Sequence, residues 1–318
     1  MRSLHRYLTD SLRSKKTRGE ANVAGVAQYP FANVAVIILT YNEEANIAQA
    51  LESVKGWAQQ IFVVDSFSND RTPEIARQYP CLVIQHAFED YARQRNFALT
   101  TLPIETEWIL FLDADEWLPK ELKDEITAVI AQRPRQNGFF IKWRLIWMGR
   151  WIKHGYYPTW ILRLARYRKV RCEDRGVSEH LIVDGSTGKL LHDFMHEDRK
   201  GLPDWIAKHN SYAVREAKEL LRRHQPECSE IRPSLFGTQA ERKRWVRQRI
   251  WQRLPPLLRP FCYYFYRYVM RGGFLDGRAA FIYHFLHALW FPLLIDINYL
   301  ELRASKQDTP HDPPTATT

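Results

Sequence analysis

The sequence predicts an α/β protein with an open, mostly parallel central sheet, helices on both faces, and a helical, basic and aromatic C-terminal region. Three observations carry that expectation. Apolar runs of strand length alternate with segments of helical spacing up to residue 131. Polar and acidic residues stand at the ends of those runs rather than inside them. Beyond residue 236 the composition shifts towards arginine, tryptophan and phenylalanine.

Residues 33–39 (NVAVIIL) are apolar almost throughout, as expected for a strand covered on both faces. Residues 44–54 have helical spacing. A second strand is expected over 61–64, ending at Asp65, and a short helix over 72–78 with Asp70 as its cap. A third strand (81–85), a helix (91–100), a fourth strand (108–112) and a helix (119–131) complete the alternation. The proline that opens the last helix suits a first turn. Ligands of such sheets bind at the carboxyl ends of the strands.

The polar residues sit at those ends. The first strand runs into Thr40-Tyr41-Asn42-Glu43, the second into Asp65-Ser66-Phe67-Ser68-Asn69-Asp70, and the fourth into Asp113-Ala114-Asp115. Any one reads as an ordinary turn or N-cap; three together point to one ligand-bearing end of the sheet. Asp113 and Asp115 are spaced i, i+2 after an apolar strand, so both side chains point the same way. Such a pair repels unless a cation lies between the carboxylates, and oxygen donors suit Mg²⁺ or Mn²⁺ shared with substrate phosphates. Taken alone, the stretch also reads as an acidic turn. Neither GxGxxG nor GxxxxGK[ST] occurs. A nucleotide would therefore be held by carboxylate contacts to base and ribose and by metal contacts to its diphosphate. A phosphohydrolase of the haloacid dehalogenase type fits less well. Its Asp-x-Asp belongs to the first strand, and Trp117 stands where it has threonine or valine.

The chain has 318 residues, 45% of them apolar and 13% aromatic, enough to bury a full core. Cys81, Cys172, Cys228 and Cys262 lack zinc or CxxC spacing and read as reduced thiols. Residues 1–20 are polar and basic with no apolar core, so no signal peptide is expected. The formal net charge of +10 implies an anionic partner. Arg242, Lys243, Arg244, Arg247, Arg249, Arg253 and Arg259 alternate with Trp245, Trp251 and leucines, which suits a membrane-surface helix as well as a solvated helix face. Residues 279–300 approach the length of a membrane span. They are interrupted by His284, His287, Pro292, Asp296 and Asn298, so a peripheral or shallowly embedded segment is favoured over a spanning one. The expected organisation is a basic, flexible segment over 1–32, the catalytic domain over 33–235, a basic and aromatic membrane-associating region over 236–303, and a disordered tail over 304–318. A non-catalytic basic protein bound to membrane or nucleic acid is the competing reading. It leaves Asp65, Asp113 and Asp115 without a role, and no nucleic-acid-binding motif is present.

The series Thr40-Tyr41-Asn42-Glu43-Glu44, Val64-Asp65-Ser66, Arg95-Asn96 and Asp113-Ala114-Asp115-Glu116 resembles the GT-A domain of family 2 glycosyltransferases, over residues 33–200. It is most similar to the bacterial branch containing lipopolysaccharide-core glucosyltransferases. Gly149-Arg150-Trp151-Ile152-Lys153-His154-Gly155, Arg163-Leu164 and Gly273-Phe274-Leu275-Asp276-Gly277 resemble runs of that branch and extend the likeness to residue 302. The resemblance implies a GT-A fold and inverting transfer from a nucleotide-diphosphate sugar, commonly a UDP-sugar, to a lipid-linked or lipopolysaccharide-type glycan at the inner face of the cytoplasmic membrane. It implies that Thr40, Tyr41 and Glu43 line the nucleotide pocket and that Asp65 contacts base or ribose. Arg95 and Asn96 would reach the base and diphosphate, and Asp113 the ribose or a metal-bound water. Asp115 would be the principal ligand of Mn²⁺ or Mg²⁺, with His196 an additional one. Glu179 is the implied base. Here the sequence departs from the branch: its valine-histidine-glutamate reads Val177-Ser178-Glu179, with His180 following.

Overall fold

A computed structural model describes residues 31–173, 180–222 and 251–307, with a few positions between 234 and 249. The strands are β1 (Ala32–Thr40), β2 (Ala58–Asp65), β3 (Leu82–Gln85), β4 (Trp108–Asp113), β5 (Glu116–Trp117), β6 (Gly138–Trp147), β7 (Arg150–Trp151), β8 (Trp160–Arg166), β9 (Val170–Cys172), β10 (Leu181–Val183) and β11 (Thr187–His196). The helices are α1 (Ile47–Val54), α2 (Thr72–Ala76), α3 (Tyr91–Thr101), α4 (Lys120–Ala131), α5 (Leu202–Arg222), α6 (Arg259–Tyr264), α7 (Gly277–His284) and α8 (Phe291–Gln307).

Each strand and helix expected over residues 33–131 is present, with ends displaced by a few residues. The first helix starts at Ile47 rather than residue 44, because Glu43 O accepts from both Asn46 N and Ile47 N in a tight turn. Asp70 accepts from Thr72 N at 2.9 Å, satisfying a free donor at the start of α2. Pro119 stands just outside α4, as its extended N-cap, not within the first turn.

The main sheet has the order β3-β2-β1-β4-β8-β6-β11-β5, with β7 paired to β6. Strands β3, β2, β1 and β4 are parallel, as are β6 and β11. Strand β8 lies antiparallel between β4 and β6, and β5 antiparallel on β11. The sheet is therefore mostly parallel, with one reversed strand inserted at its middle. Strands β9 and β10 form a separate antiparallel pair.

The alternation within β1 assigns its two faces. Val34, Val36 and Ile38 pack with Ile47 and Leu51 of α1 and with Leu122 and Ile126 of α4. Ala35 and Ile37 pack with Ala98 and Leu99 of α3 and with Phe111 of β4. Burying each such valine or isoleucine contributes roughly 1.5–3 kcal/mol. A third cluster joins Leu145, Ile152 and Tyr156 to Trp205 of α5 and to Ala280, Tyr283 and Ala288.

Residues 273–305 form one helical run that is long and apolar enough to cross a membrane by length and composition, and a third of its most apolar stretch is buried in the molecule. The expected interruptions are absorbed. A π-helical turn over Phe285–Trp290 precedes Pro292, where a regular helix would lose a donor and crowd a carbonyl. Asp296 is buried and receives Arg259 Nε at 2.8 Å. Arg259, read from the sequence as part of the basic surface, is an interior ion-pair partner instead. Residues 304–307 continue α8 into the stretch expected as tail.

Candidate active site

The site forms where the parallel strands end. In register, Thr40 of β1 faces Asp65 of β2, and Leu39 faces Asp113 of β4. Thr40 Oγ1 donates to Asp65 Oδ1 at 3.1 Å, and Ser68 N donates to Asp65 Oδ2 at 3.0 Å. Asp65 is fully buried and holds this loop as an acceptor of several donors. Gln94 of α3 reaches Ser66 Oγ at 3.1 Å, closing the loop from the other side. Tyr41 is 55% exposed, leaving its ring free to cover a ligand. Asn42 takes a positive φ of 53°, a conformation that asparagine tolerates better than most residues.

Glu43 is buried, with Lys200 Nζ at 2.6 Å from one carboxylate oxygen and Asn46 Nδ2 at 2.8 Å from the other. Burial and the nearby charge of Asp115 raise its pKa despite Lys200. Asp113 receives Arg163 Nη2 at 2.6 Å, and Arg95 Nη2 lies 3.6 Å away. The same Arg163 Nη2 lies 2.7 Å from Glu116 Oε1, so one buried guanidinium of β8 serves two carboxylates. Burial opposes the charge on Asp113, but Arg163 and Arg95 hold its pKa below the ordinary value. Burial pushes Glu116 up, against the pull of Arg163.

Asp115 Oδ1 lies 3.5 Å from His196 Nδ1 at the end of β11, and Asp115 Oδ2 lies 3.8 Å from Lys208 Nζ of α5. Burial disfavours the Asp115 carboxylate, yet His196 and Lys208 keep it well below the usual carboxylate range. Burial likewise disfavours a charged His196, but Asp115 and then Glu116 raise it to about 9. His196 Nδ1 is buried, with the Asp115 carboxylate as its partner at the long distance of 3.5 Å. A buried imidazole nitrogen loosely facing a carboxylate is a donor pair that fits a divalent cation. Among the described residues no three histidine, cysteine, aspartate or glutamate side chains converge as a complete metal cage. The protein would supply two ligands and leave the rest to a bound substrate or water.

The other sequence-derived candidates lie as follows. Asn96 donates to Cys172 O at 3.1 Å and accepts from Cys172 N at 2.9 Å, so its amide pins β9 to α3 rather than standing free for a ligand. Glu179 lies outside the described residues. Arg163, Glu116, Lys200 and Lys208 complete the site but were given no role from the sequence. The i+1 glutamate after Asp115 was the one visible signal. The two glycine-bearing runs at residues 149–155 and 273–277 meet each other: His154 N donates to Asp276 Oδ2 at 2.6 Å. A side chain at Gly155, φ 83°, would collide with His284.

The carboxyl end of the parallel sheet thus gathers buried carboxylates, a histidine and two lysines. Residues 35–178 match the model of the family described as "Glycosyl transferase family 2". That stretch of the chain is similar to a family 2 glycosyltransferase domain. It is 38% identical over 117 residues to an uncharacterised glycosyltransferase of Rickettsia bellii, covering 37% of this chain and 39% of that protein. It is 34% identical over 110 residues to the SPbeta prophage-derived glycosyltransferase SunS of Bacillus subtilis, covering 34% and 26%. These matches span well under half of the length of those relatives. Among solved structures it is similar to the mannosyltransferase PcManGT from Pyrobaculum calidifontis in complex with GDP-Man and Mn²⁺, at 15% identity, TM-score 0.44, and 95% and 94% of the two chains.

Proposed function

We propose that this protein is an inverting, metal-dependent glycosyltransferase. It moves a sugar from a nucleotide-diphosphate donor, with UDP the favoured carrier, to a hydroxyl of a lipid-associated glycan in lipopolysaccharide or exopolysaccharide synthesis. The observation that carries the reading is the meeting of the buried Asp115 carboxylate with His196 Nδ1 at 3.5 Å, just past the strand end that bears Asp113.

In this reading Asp65 and the Thr40–Glu43 loop orient the nucleoside, with Tyr41 against the base. Asp115 and His196 hold Mn²⁺ or Mg²⁺, which when bound supplies electrostatic stabilisation of the departing diphosphate. Lys208 and Lys200 add fixed positive charge on the same side. Arg163 and Arg95 keep Asp113 ionised for a ribose hydroxyl or a bound water. Glu179 takes the proton of the acceptor hydroxyl as it attacks the opposite face of the sugar.

The same proposal places the protein on the cytoplasmic face of the membrane. Its support is the aromatic surface of the C-terminal helices, where Phe265, Met270, Phe274, Leu275 and Phe281 are each 46% exposed or more. Exposed apolar side chains gathered in one region are what a membrane-contacting surface presents.

The test is a donor screen. Purified protein with Mn²⁺ or Mg²⁺ is offered UDP-, GDP-, dTDP- and CMP-sugars, and thermal stabilisation and nucleotide release are recorded with and without chelator. One nucleotide sugar should stabilise the protein in a metal-dependent way. Stabilisation by none would overturn the reading.

A further inference from the structure

Strands β6, β8 and β11 carry a second cluster of chemistry-bearing side chains away from the Asp115 pocket. Lys142 and Arg144 alternate along β6 with Trp143, which packs edge-on against His196, so they point to the opposite face of the sheet. Their common anchor is Asp193 of β11, 4% exposed. It lies 3.1 Å from Lys142 Nζ, 2.7 Å from Arg144 Nε and 3.1 Å from the Tyr157 hydroxyl. One carboxylate thus stands against two cations at its own position.

Aromatic rings and further cations line the same strip. Lys142 Nζ lies 5.3 Å from the Trp160 ring centre and Lys189 Nζ 5.0 Å from it. Arg144 stands 4.5 Å over Trp151, and Lys153 Nζ is 5.2 Å from that ring. Lys153 and Lys189 are exposed, and Trp151, Tyr157 and Trp160 are half-buried with surface remaining. From Phe140, the register partner of Lys189, to Ile146, the partner of Trp151, the strip follows β6 for a rise of roughly 20 Å. It ends at the carboxyl end of the sheet, where Leu145 is the register partner of His196.

We infer that this strip is a binding subsite for a phosphate-bearing oligosaccharide, the acceptor glycan of the reaction. The inference rests on the transferase reading. Indole and phenol faces suit sugar rings, and the excess of ammonium and guanidinium groups suits a multiply charged phosphate. The length of the strip accommodates several saccharide units. Its end reaches the same carboxyl edge of the sheet as His196, from the opposite face.

The experiment is calorimetric titration of the full-length protein, with UDP and Mn²⁺ present. The probes are a deacylated, phosphorylated bacterial core oligosaccharide, the same oligosaccharide after dephosphorylation, and inorganic phosphate. The phosphorylated oligosaccharide should bind about tenfold or more tightly than its dephosphorylated form. The variant Lys153→Gln/Lys189→Gln removes two exposed cations and leaves Asp193 paired. It should weaken binding of the phosphorylated probe about tenfold, leave the dephosphorylated probe nearly unchanged, and leave stabilisation by UDP intact. Equal binding of the two oligosaccharides, an unaffected double variant, or inorganic phosphate binding as tightly as the phosphorylated oligosaccharide would overturn the subsite. Binding as expected without any response to nucleotide diphosphates would instead defeat the donor reading and leave the anionic subsite standing.

Discussion

At the scale of single residues, Asp115 has the most demanding position. It is buried between a histidine and a lysine, and its charge raises the pKa of His196. Replacing it by asparagine keeps size and shape but removes the carboxylate proposed to hold the metal. Asp115→Asn should lower nucleotide release about a thousandfold while circular dichroism stays unchanged. Wild-type turnover in that variant would remove Asp115 from the metal site. The spacing of Asp113 and Asp115 was legible because strand geometry converts i, i+2 into a shared direction. Lys200 and Lys208 were not, and Arg163 stood out only as part of a family-like run, without a role. Each reaches the site from an element distant in sequence, and nothing local distinguishes such a cation from a solvated one. Asn96 shows the reverse limit: its residue type suits ligand contact, but both ends of its amide are taken by the Cys172 backbone.

At the scale of elements, two features of the C-terminal helices lend themselves to measurement. The Arg259–Asp296 pair joins α6 to α8 in the interior. Asp296→Ala would strand a buried guanidinium and should cost about 3–5 kcal/mol in urea unfolding, whereas the double variant Arg259→Met/Asp296→Leu should recover most of that loss. A double variant no better than the single one would show that the pair's geometry matters beyond its charge. The second feature is the histidine group between α5 and the π-helical turn. Burial depresses His209 to about 4 and His287 to about 3, and His287 Nδ1 lies 2.8 Å from the Tyr156 hydroxyl. Between pH 6.5 and about 4 the unfolded chain binds protons there that the folded chain refuses, so stability should fall as pH drops through that window. In metal-free protein His196 acts in the opposite sense, because its raised pKa makes a contribution that is lost as pH rises from about 6.5 through 9. Urea midpoints from pH 4.5 to 9.5 should show the acid limb, and His209→Asn/His287→Asn should flatten it without altering the alkaline limb. The helices and strands of the first half were readable from apolar periodicity. The long helix over 273–305 was harder, since its buried Asp296 and His284 look like interruptions until their partners are in place.

At the scale of the whole molecule, the exposed aromatic surface and the net charge of +10 argue for attachment to an anionic bilayer. The full-length protein should co-sediment with phosphatidylglycerol vesicles at low salt. Phe265→Ser/Met270→Ser/Leu275→Ser should release it, and neutral vesicles should bind it weakly. Retention of the triple variant would assign the contact to charge alone. The reversed strand β8 has a different reach. It separates the β1–β4 parallel block from the β6–β11 pair, and β11 arrives only at residues 187–196. A nascent chain that has emerged through residue 178 therefore presents β6 with an open edge, its parallel neighbour still unsynthesised. The family-matched segment, residues 35–178, therefore lacks one of the strands that pair with its β6. β6 waits on a later strand, and a version shortened to residue 178 should aggregate more readily than the full-length protein, which light scattering of the two would check.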